Sequence, residues 1–328
     1  LIGEAGMNIQ ELKMAQALPL ELKVAKTEKR IDEAVYQFTT DGLYTSISGG
    51  KDSSVLHHIV KNKYPKIPSV FCNTTLEYRE VIDKAKELAD EIIRPDMNYA
   101  QTITHYGYPC ISKSQAMAFR KLTTQNLSPA YRNKLLHGDE KGKAGKLSDK
   151  WHYLLTTADF KISEKCCDVM KKRPFKKYNK KTGRIPITGV MADESQNRQI
   201  RYLNNGGCNA FNCSEPKSNP LGFWTEQDIL QYIYECKLDI AEVYGEVIYD
   251  NDEKKFKTTG EKRTGCVGCI FGCHMEKGKN RFQRMKESHP EMYDYCMRGG
   301  TYNDEGIWIP EKGLGMAHVL DKLNIEYK

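Results

Sequence analysis

The chain has 328 residues, 39% of them hydrophobic and 28% charged, which is ordinary for a globular protein with one large core or two modest ones. No apolar run approaches the roughly 18–20 residues that cross a bilayer, and no leader is seen, so the eleven cysteines read as thiols in a reducing cytoplasm, some of them ligands, and not as a secreted disulfide framework. The formal charge of +7, from 50 basic and 43 acidic residues, suits a polyanionic ligand without requiring one.

Residues 1–6 precede Met7 and read as a cloning remnant or an alternative start, outside the fold. Residues 7–40 are expected to form one or two N-terminal helices, because 8–38 carry apolar positions at helical intervals. "GLYTSISGG" is a short β-rich run ending in glycines, followed by a helix with Val55, Leu56, Ile59 and Val60 on one face. "PSVFCNTT" predicts a second strand, "REVIDKAKELADE" a second amphipathic helix through Val81, Ile82, Ala85 and Leu88, and "EIIRP" a third strand. This alternation predicts an α/β fold, a parallel sheet flanked by crossover helices. Residues 132–150 are polar, rich in glycine and lysine, and read as a loop. "RIPITGVM" resumes the strand pattern. "WTEQDILQYIYEC" predicts a helix that Thr225 and Asp228 cap, and the charged stretch 250–263 reads as a loop.

The turn "SISGGKDSS", Ser46 to Ser54, joins the first strand to its helix. At such a junction the exposed backbone N–H groups and the positive end of the helix dipole attract an anion. Gly49 and Gly50 permit positive φ and close approach of a phosphate, Ser48 and Ser53 add hydroxyls, and Lys51 neutralises charge. A Walker A loop is excluded, because Thr45 and Asp52 stand where that pattern has a glycine and a Ser or Thr. A dinucleotide fingerprint is excluded by the missing third glycine.

"SGGKDS" resembles the PP-loop of the adenine nucleotide alpha hydrolase superfamily, whose members act at the α-phosphate of ATP or an adenylated sulfate. Three more stretches narrow the resemblance to the phosphoadenosine phosphosulfate reductase family, in a reductase-like form carried by prophages and mobile elements. "VFCNTTLEY" is similar to that family's "DTGLEYPE"-like segment, with Asn73 and Thr75 where the family has Asp and Gly. "KCCDVMKKRPFKKY" with "ITGVMADESQNRQ" resembles its paired-cysteine and Ala-Asp-Glu-Ser segments, with Met191 in place of an arginine. "NPLGFWTEQDI" is similar to its nucleotide-closing segment. The resemblance implies that residues 41–235 form the PP-loop nucleotide-binding domain and 236–328 a Cys-rich portion. It implies Ser46, Ser48, Gly49, Gly50, Lys51, Asp52, Ser53, Asn73 and Thr75 at the nucleotide, with Lys113 and Lys171 as further anion contacts. Lys51, Asp52 and Arg198 carry the catalytic role, Arg198 through bidentate recognition of a phosphate or sulfate. The ligand is ATP or phosphoadenosine phosphosulfate, with Mg²⁺ as a companion of the phosphates.

A C-x-x-C pair turns two sulfurs toward one metal, whereas the adjacent Cys166 and Cys167 need an irregular turn to share a site. By the resemblance, Cys166, Cys167, Cys266 and Cys269 hold a 4Fe-4S cluster, with Cys273 or Cys208 as substitutes; soft thiolates also admit zinc. Reductases of this family attack sulfur with a cysteine in an "ECG-H"-like tail, and "GMAHVLDKLNIEYK" holds none. Cys296, in the helix-like "YDYCMRGG", lacks the flanking residues.

Three readings follow: a sulfonucleotide oxidoreductase with a thiol electron donor; a transferase that adenylates a nucleic acid and receives sulfur from a donor protein; or a nucleotide- or redox-sensing regulator without turnover. In the second, the basic stretches 171–184, with 8 basic residues of 14, and 279–286 contact backbone phosphates. A homodimer and no membrane partner are expected.

Overall fold

A computed structural model describes residues 7–140, 142 and 145–328, so the reading of residues 1–6 lies outside the described residues. The N-terminal stretch folds as two helices, α1 (Ile9–Gln16) and α2 (Leu20–Phe38). Asn8 caps α1 in a capping box with Glu11, and Pro19 opens α2. Strand β1 (Leu43–Ile47) then leads into α3 (Lys51–Lys63), β2 (Ser69–Cys72), α4 (Arg79–Leu88) and β3 (Glu91–Ile93), the alternation expected. The predicted face of α3 is buried at Val55, Leu56, Ile59 and Val60. On α4, Val81 and Ala85 are buried, while Ile82 and Leu88 are half-buried against Ile47 and Phe71.

The contact pattern divides the chain into two units, each assembled from separated stretches, where the sequence reading drew consecutive segments. The first comprises residues up to Asn73, Glu77–Arg94 and Pro174–Thr264. Its six-stranded sheet adds β4 (Ile185–Thr188), β5 (Asn209–Ala210) and β6 (Lys217–Ser218), in the order β3-β2-β1-β4-β6-β5. All pairs are parallel except β5–β6. Every residue of β2 is buried, as in a parallel sheet covered on both faces. In this arrangement the carboxyl ends of β1, β2 and β4 lie side by side, and β1 ends at the glycine turn.

Two expectations for loops are corrected. Helix Pro129–His137 reaches into the stretch 132–150, started by Ser128 as its cap and a proline in its first turn. It buries only Leu135, so periodicity gave it no signal. The stretch 250–263 contains β8 (Lys255–Thr258), which pairs antiparallel with β7 (Val247–Asp250). Charged residues alternate along β8 and hide its strand character.

The second unit comprises Thr74–Leu76, Pro95–Arg173 and Gly265–Lys328. Short helices, among them Tyr99–Tyr106, Lys113–Thr124, Arg281–Ser288, Pro290–Met297 and Met316–Lys322, pack with a small hairpin of Thr301–Tyr302 and Trp308–Ile309. Tyr108, Trp151, Phe160, Phe282 and Met316 are buried there. Among the described residues no helix is long and apolar enough to cross a membrane.

Candidate functional site

The glycine turn takes its shape from one glycine at positive φ and two serine hydroxyls, those of Ser48 and Ser53, 3.2 Å apart. Gly49 has φ +74°, and a Cβ there would stand 2.0 Å from the carbonyl oxygen of Val81, so only glycine fits. Gly50 differs from expectation: its φ is −77°, and it caps α3 in extended conformation, leaving close approach as its contribution. The Ser48 backbone N–H donates to Ser53 Oγ at 3.1 Å, and Ser53 Oγ donates to the Gly50 carbonyl at 2.9 Å. Ser46 stays within β1, between Val70 and Thr188 of its neighbours. On β4's side, Gly189 lets the chain pass Asp52, since a Cβ would lie 3.2 Å from the Asp52 carbonyl oxygen.

Lys51 is buried at the start of α3. Its ammonium donates to the Lys262 carbonyl at 2.6 Å, lies 3.5 Å from Glu226 Oε1 and sits 5.3 Å over the Tyr244 ring. Burial lowers its pKa, against the pull of Glu226 and Asp52. For Asp52, burial and then the Glu194 carboxylate push the pKa up to about 6, opposed by Lys51 and Arg263. Arg198 is held by Glu194 at 2.6 Å, and the same Glu194 oxygen accepts the Met191 backbone N–H at 3.1 Å. Glu194 therefore links Arg198 to the electrostatics of Asp52. Met191 is itself buried and offers no charge.

Asn73 is buried at the carboxyl end of β2. Thr75, where the family has glycine, has φ +60°, the left-handed region that a β-branched residue rarely enters. Tyr244, Glu226, Lys262 and Arg263 escaped sequence reasoning as site residues. Tyr244 donates to or accepts from Thr264 Oγ1 at 2.6 Å, and burial pushes its phenol up to about 12. Glu226 was quoted only inside a helix signal, and Lys262 and Arg263 lie in the stretch read as a charged loop.

In the second unit, the predicted cysteines are electrostatic neighbours. Burial raises the Cys166 thiol, and Cys167, Cys266 and Cys269 raise it further. Cys166 and Cys167 open a helical turn that continues as a π-helix over Asp168–Lys172, which supplies the irregularity a cysteine pair needs. The Cys266–Cys269 turn closes through the Cys269 N–H on the Cys266 carbonyl at 3.0 Å. It is anchored by Val267 N–H on the Leu76 carbonyl, by the Tyr99 hydroxyl on the Gly268 carbonyl, and by Arg281 Nη1 on the Cys269 carbonyl at 3.0 Å. Still, among the described residues no three His, Cys, Asp or Glu side chains stand in an arrangement that could hold a metal ion. Lys171 and Lys113 belong to this unit, and each lowers the pKa of a thiol, Cys166 and Cys269 respectively. Cys208 lies in the first unit, 3.4 Å from the Tyr202 hydroxyl.

The cations of 279–286 are largely engaged internally. Arg281 and Arg284 pair with Glu276, Lys279 pairs with Glu287, and Lys286 lies over Tyr293. In the stretch 171–184, Arg173, Lys176 and Arg184 pair with Asp168, Glu215 and Glu91. Burial pushes Cys296 up to about 12.

A glycine turn at the carboxyl ends of a parallel sheet places the chain among the α/β proteins whose strand ends are where ligands bind. The family model of the phosphoadenosine phosphosulfate reductase domain matches residues 42–107 and 111–270, and the chain belongs to that family. An uncharacterized protein of Methanocaldococcus jannaschii is 26% identical over 322 residues, covering 91% of this chain; the chain spans about three fifths of that relative's length (61%). Among solved structures, phosphoadenylyl-sulfate reductase from Candida auris in a phosphate complex aligns at 16% identity and TM-score 0.38, over 73% of this chain and 92% of its own. NH3-dependent NAD synthetase from Campylobacter jejuni, with nitrate, aligns at 14% identity and TM-score 0.34, over 67% and 75%.

Proposed function

We propose that the protein is an adenine-nucleotide enzyme of the PP-loop kind that joins a sulfonucleotide to thiolate–metal chemistry. The turn Ser48–Ser53, with Gly49 forced to positive φ against Val81, is the observation that carries this reading. Its N–H groups and hydroxyls take the α-phosphate, and Lys51 exchanges the Lys262 carbonyl for a phosphate oxygen. Asp52, with a pKa of about 6, keeps its proton below that pH and above it loses the proton to water, leaving a carboxylate that would hold a cation. Arg198, once released from Glu194, orients the second anionic end. Ser46 and Asn73 of the first unit belong to the nucleotide's surroundings, Thr75 falls in the second unit, and Lys113 and Lys171, given their thiol neighbours, serve the cysteine set.

Thiolate chemistry suits a soft metal, and by the family pattern Cys166, Cys167, Cys266 and Cys269 would hold a 4Fe-4S cluster, with zinc as the alternative, once drawn closer together than they stand in the structure. Bound there, a cluster would supply electrons. The chain's own part is to anchor the C-x-x-C turn through Tyr99 and Arg281.

A second reading, ATP-dependent adenylation of an acceptor with sulfur delivered by a donor protein, is favoured by one observation. Cys296, the nucleophile candidate weighed in the sequence, lies buried in helix Pro290–Met297, and burial pushes its thiol up to about 12, away from the ready thiolate that attack on sulfur requires. One paired assay separates the readings. Anaerobic protein given phosphoadenosine phosphosulfate and a dithiol is expected to release sulfite. Pyrophosphate release from ATP, stimulated by nucleic acid and without sulfite, would overturn the first reading in favour of the second.

A further inference from the structure

After β8 the chain crosses the glycine turn as a strap over residues 259–264, all within the first unit. The strap is pinned to the turn before β7: Thr259 N–H donates to the Glu246 carbonyl, Gly260 N–H to that of Tyr244 and Glu261 N–H to that of Val243, each at 2.9 Å. Gly260 has no room for a Cβ, which would lie 2.5 Å from the Val243 carbonyl oxygen. At its far end Thr264 meets the Tyr244 hydroxyl, and between the pins the Lys262 carbonyl accepts the Lys51 ammonium. The next residue, Arg263, therefore follows directly on the carbonyl that holds Lys51, on a backbone fixed at both ends.

Arg263 is exposed, and among the described residues it has neither a hydrogen bond nor an ion pair. Its guanidinium nonetheless acts electrostatically on both Lys51 and Asp52. A guanidinium one residue beyond the carbonyl that holds the Lys51 ammonium, with no ion pair of its own among the described residues, adds a cation that an anion bound at the turn would satisfy. Arginine is suited to that role, because its planar fork takes two oxygens of one phosphate or sulfate.

We infer that Arg263 is a second anion clamp of the glycine turn, gripping the charged group attached beyond the nucleotide's α-phosphate. This rests on the reading of that turn as a phosphate site. The shared chemistry is a tetrahedral oxyanion, which either the pyrophosphate end of a triphosphate or the sulfate of a phosphosulfate presents.

Equilibrium binding of ATP, adenylyl sulfate and AMP to wild type, Arg263→Ala, Arg263→Lys and Lys51→Ala tests it. Arg263→Ala is expected to weaken ATP, adenylyl sulfate or both by about 10- to 100-fold, to leave AMP within about twofold, and to melt like wild type, since the side chain is exposed. Arg263→Lys should recover only part of the loss. Which of the two tailed ligands suffers identifies the source of the oxyanion. Unchanged tailed-ligand affinity in Arg263→Ala, with binding lost in Lys51→Ala, would overturn the clamp and leave the phosphate site standing. An equal loss for AMP would also overturn it, because Arg263 would then serve the α-phosphate. If wild type binds none of the three, the phosphate site fails and the clamp with it.

Discussion

Asp52 sits in the first turn of α3, where the helix dipole favours a carboxylate by about 0.3–1 kcal/mol. Burial and the Glu194 carboxylate outweigh that and push it up to about 6. Its folded pKa thus lies above its ordinary value, so the proton-bound form contributes stability that is fully present below about pH 4 and is lost as pH rises through 6. Above that, the ionised carboxylate costs about 2 kcal/mol, allowing for solvent at the open side of the turn. Asp52→Asn is therefore expected to raise the melting temperature of the ligand-free protein at pH 8 and to change it little at pH 4. Equal shifts at both pH values, in scanning calorimetry, would remove buried charge as the cause. Strain at Thr75 belongs to the same scale. A threonine at φ +60° stores roughly 1–3 kcal/mol, and its place beside Asn73 in a family segment was readable from sequence where its conformation was not.

At the scale of elements, α2 is bolted to helix Glu226–Cys236 through one carboxylate oxygen. Lys23, with a side chain only 2% exposed, donates to Asp228 Oδ2 at 2.6 Å, and that oxygen also accepts the Thr225 N–H and hydroxyl at 2.7 and 2.8 Å. Lys23→Met would leave the carboxylate buried without its cation, so a loss of about 3 kcal/mol is expected in urea unfolding. Lys23→Met combined with Asp228→Asn should regain most of it; a single-variant loss below about 1 kcal/mol would mean the bolt is slack. Half of this feature was legible: Thr225 and Asp228 announced a capping box, and Trp224, which donates to Thr27 Oγ1 at 2.9 Å, is fully buried core. The other half was not, because Lys23 reads as one more polar residue on an amphipathic helix 205 positions away. The strand–helix alternation from β1 to β3 was legible for a related reason, since burial on both faces of a parallel sheet leaves short apolar runs. Strand β8 was hidden because Lys255 and Lys257 give it the composition of a loop. That same misreading concealed Arg263, whose role depends on where the hairpin returns the chain.

For the molecule as a whole, the two units keep two chemistries on separate stretches of chain, the anion turn in the first and the clustered thiols in the second. The sequence showed both motifs but not this partition, because Pro95–Arg173 and Gly265–Lys328 assemble across the whole intervening stretch Pro174–Thr264. Nor did it show that Arg281, read as part of a basic surface, turns inward to the Cys269 carbonyl and Glu276. Because all four proposed ligands lie in the second unit, metal content and nucleotide affinity should respond to different substitutions. Anaerobically purified wild type is expected to be brown, with broad absorbance near the visible–ultraviolet boundary and about four irons and four sulfides per chain. Cys266→Ser should bleach it, whereas Lys51→Ala should keep the colour and the iron while losing the nucleotide. Colourless anaerobic protein with stoichiometric zinc would replace the cluster by a zinc site on the same thiols. Iron retained in full by Cys266→Ser would remove that cysteine from the ligand set and turn attention to Cys273, four residues beyond Cys269.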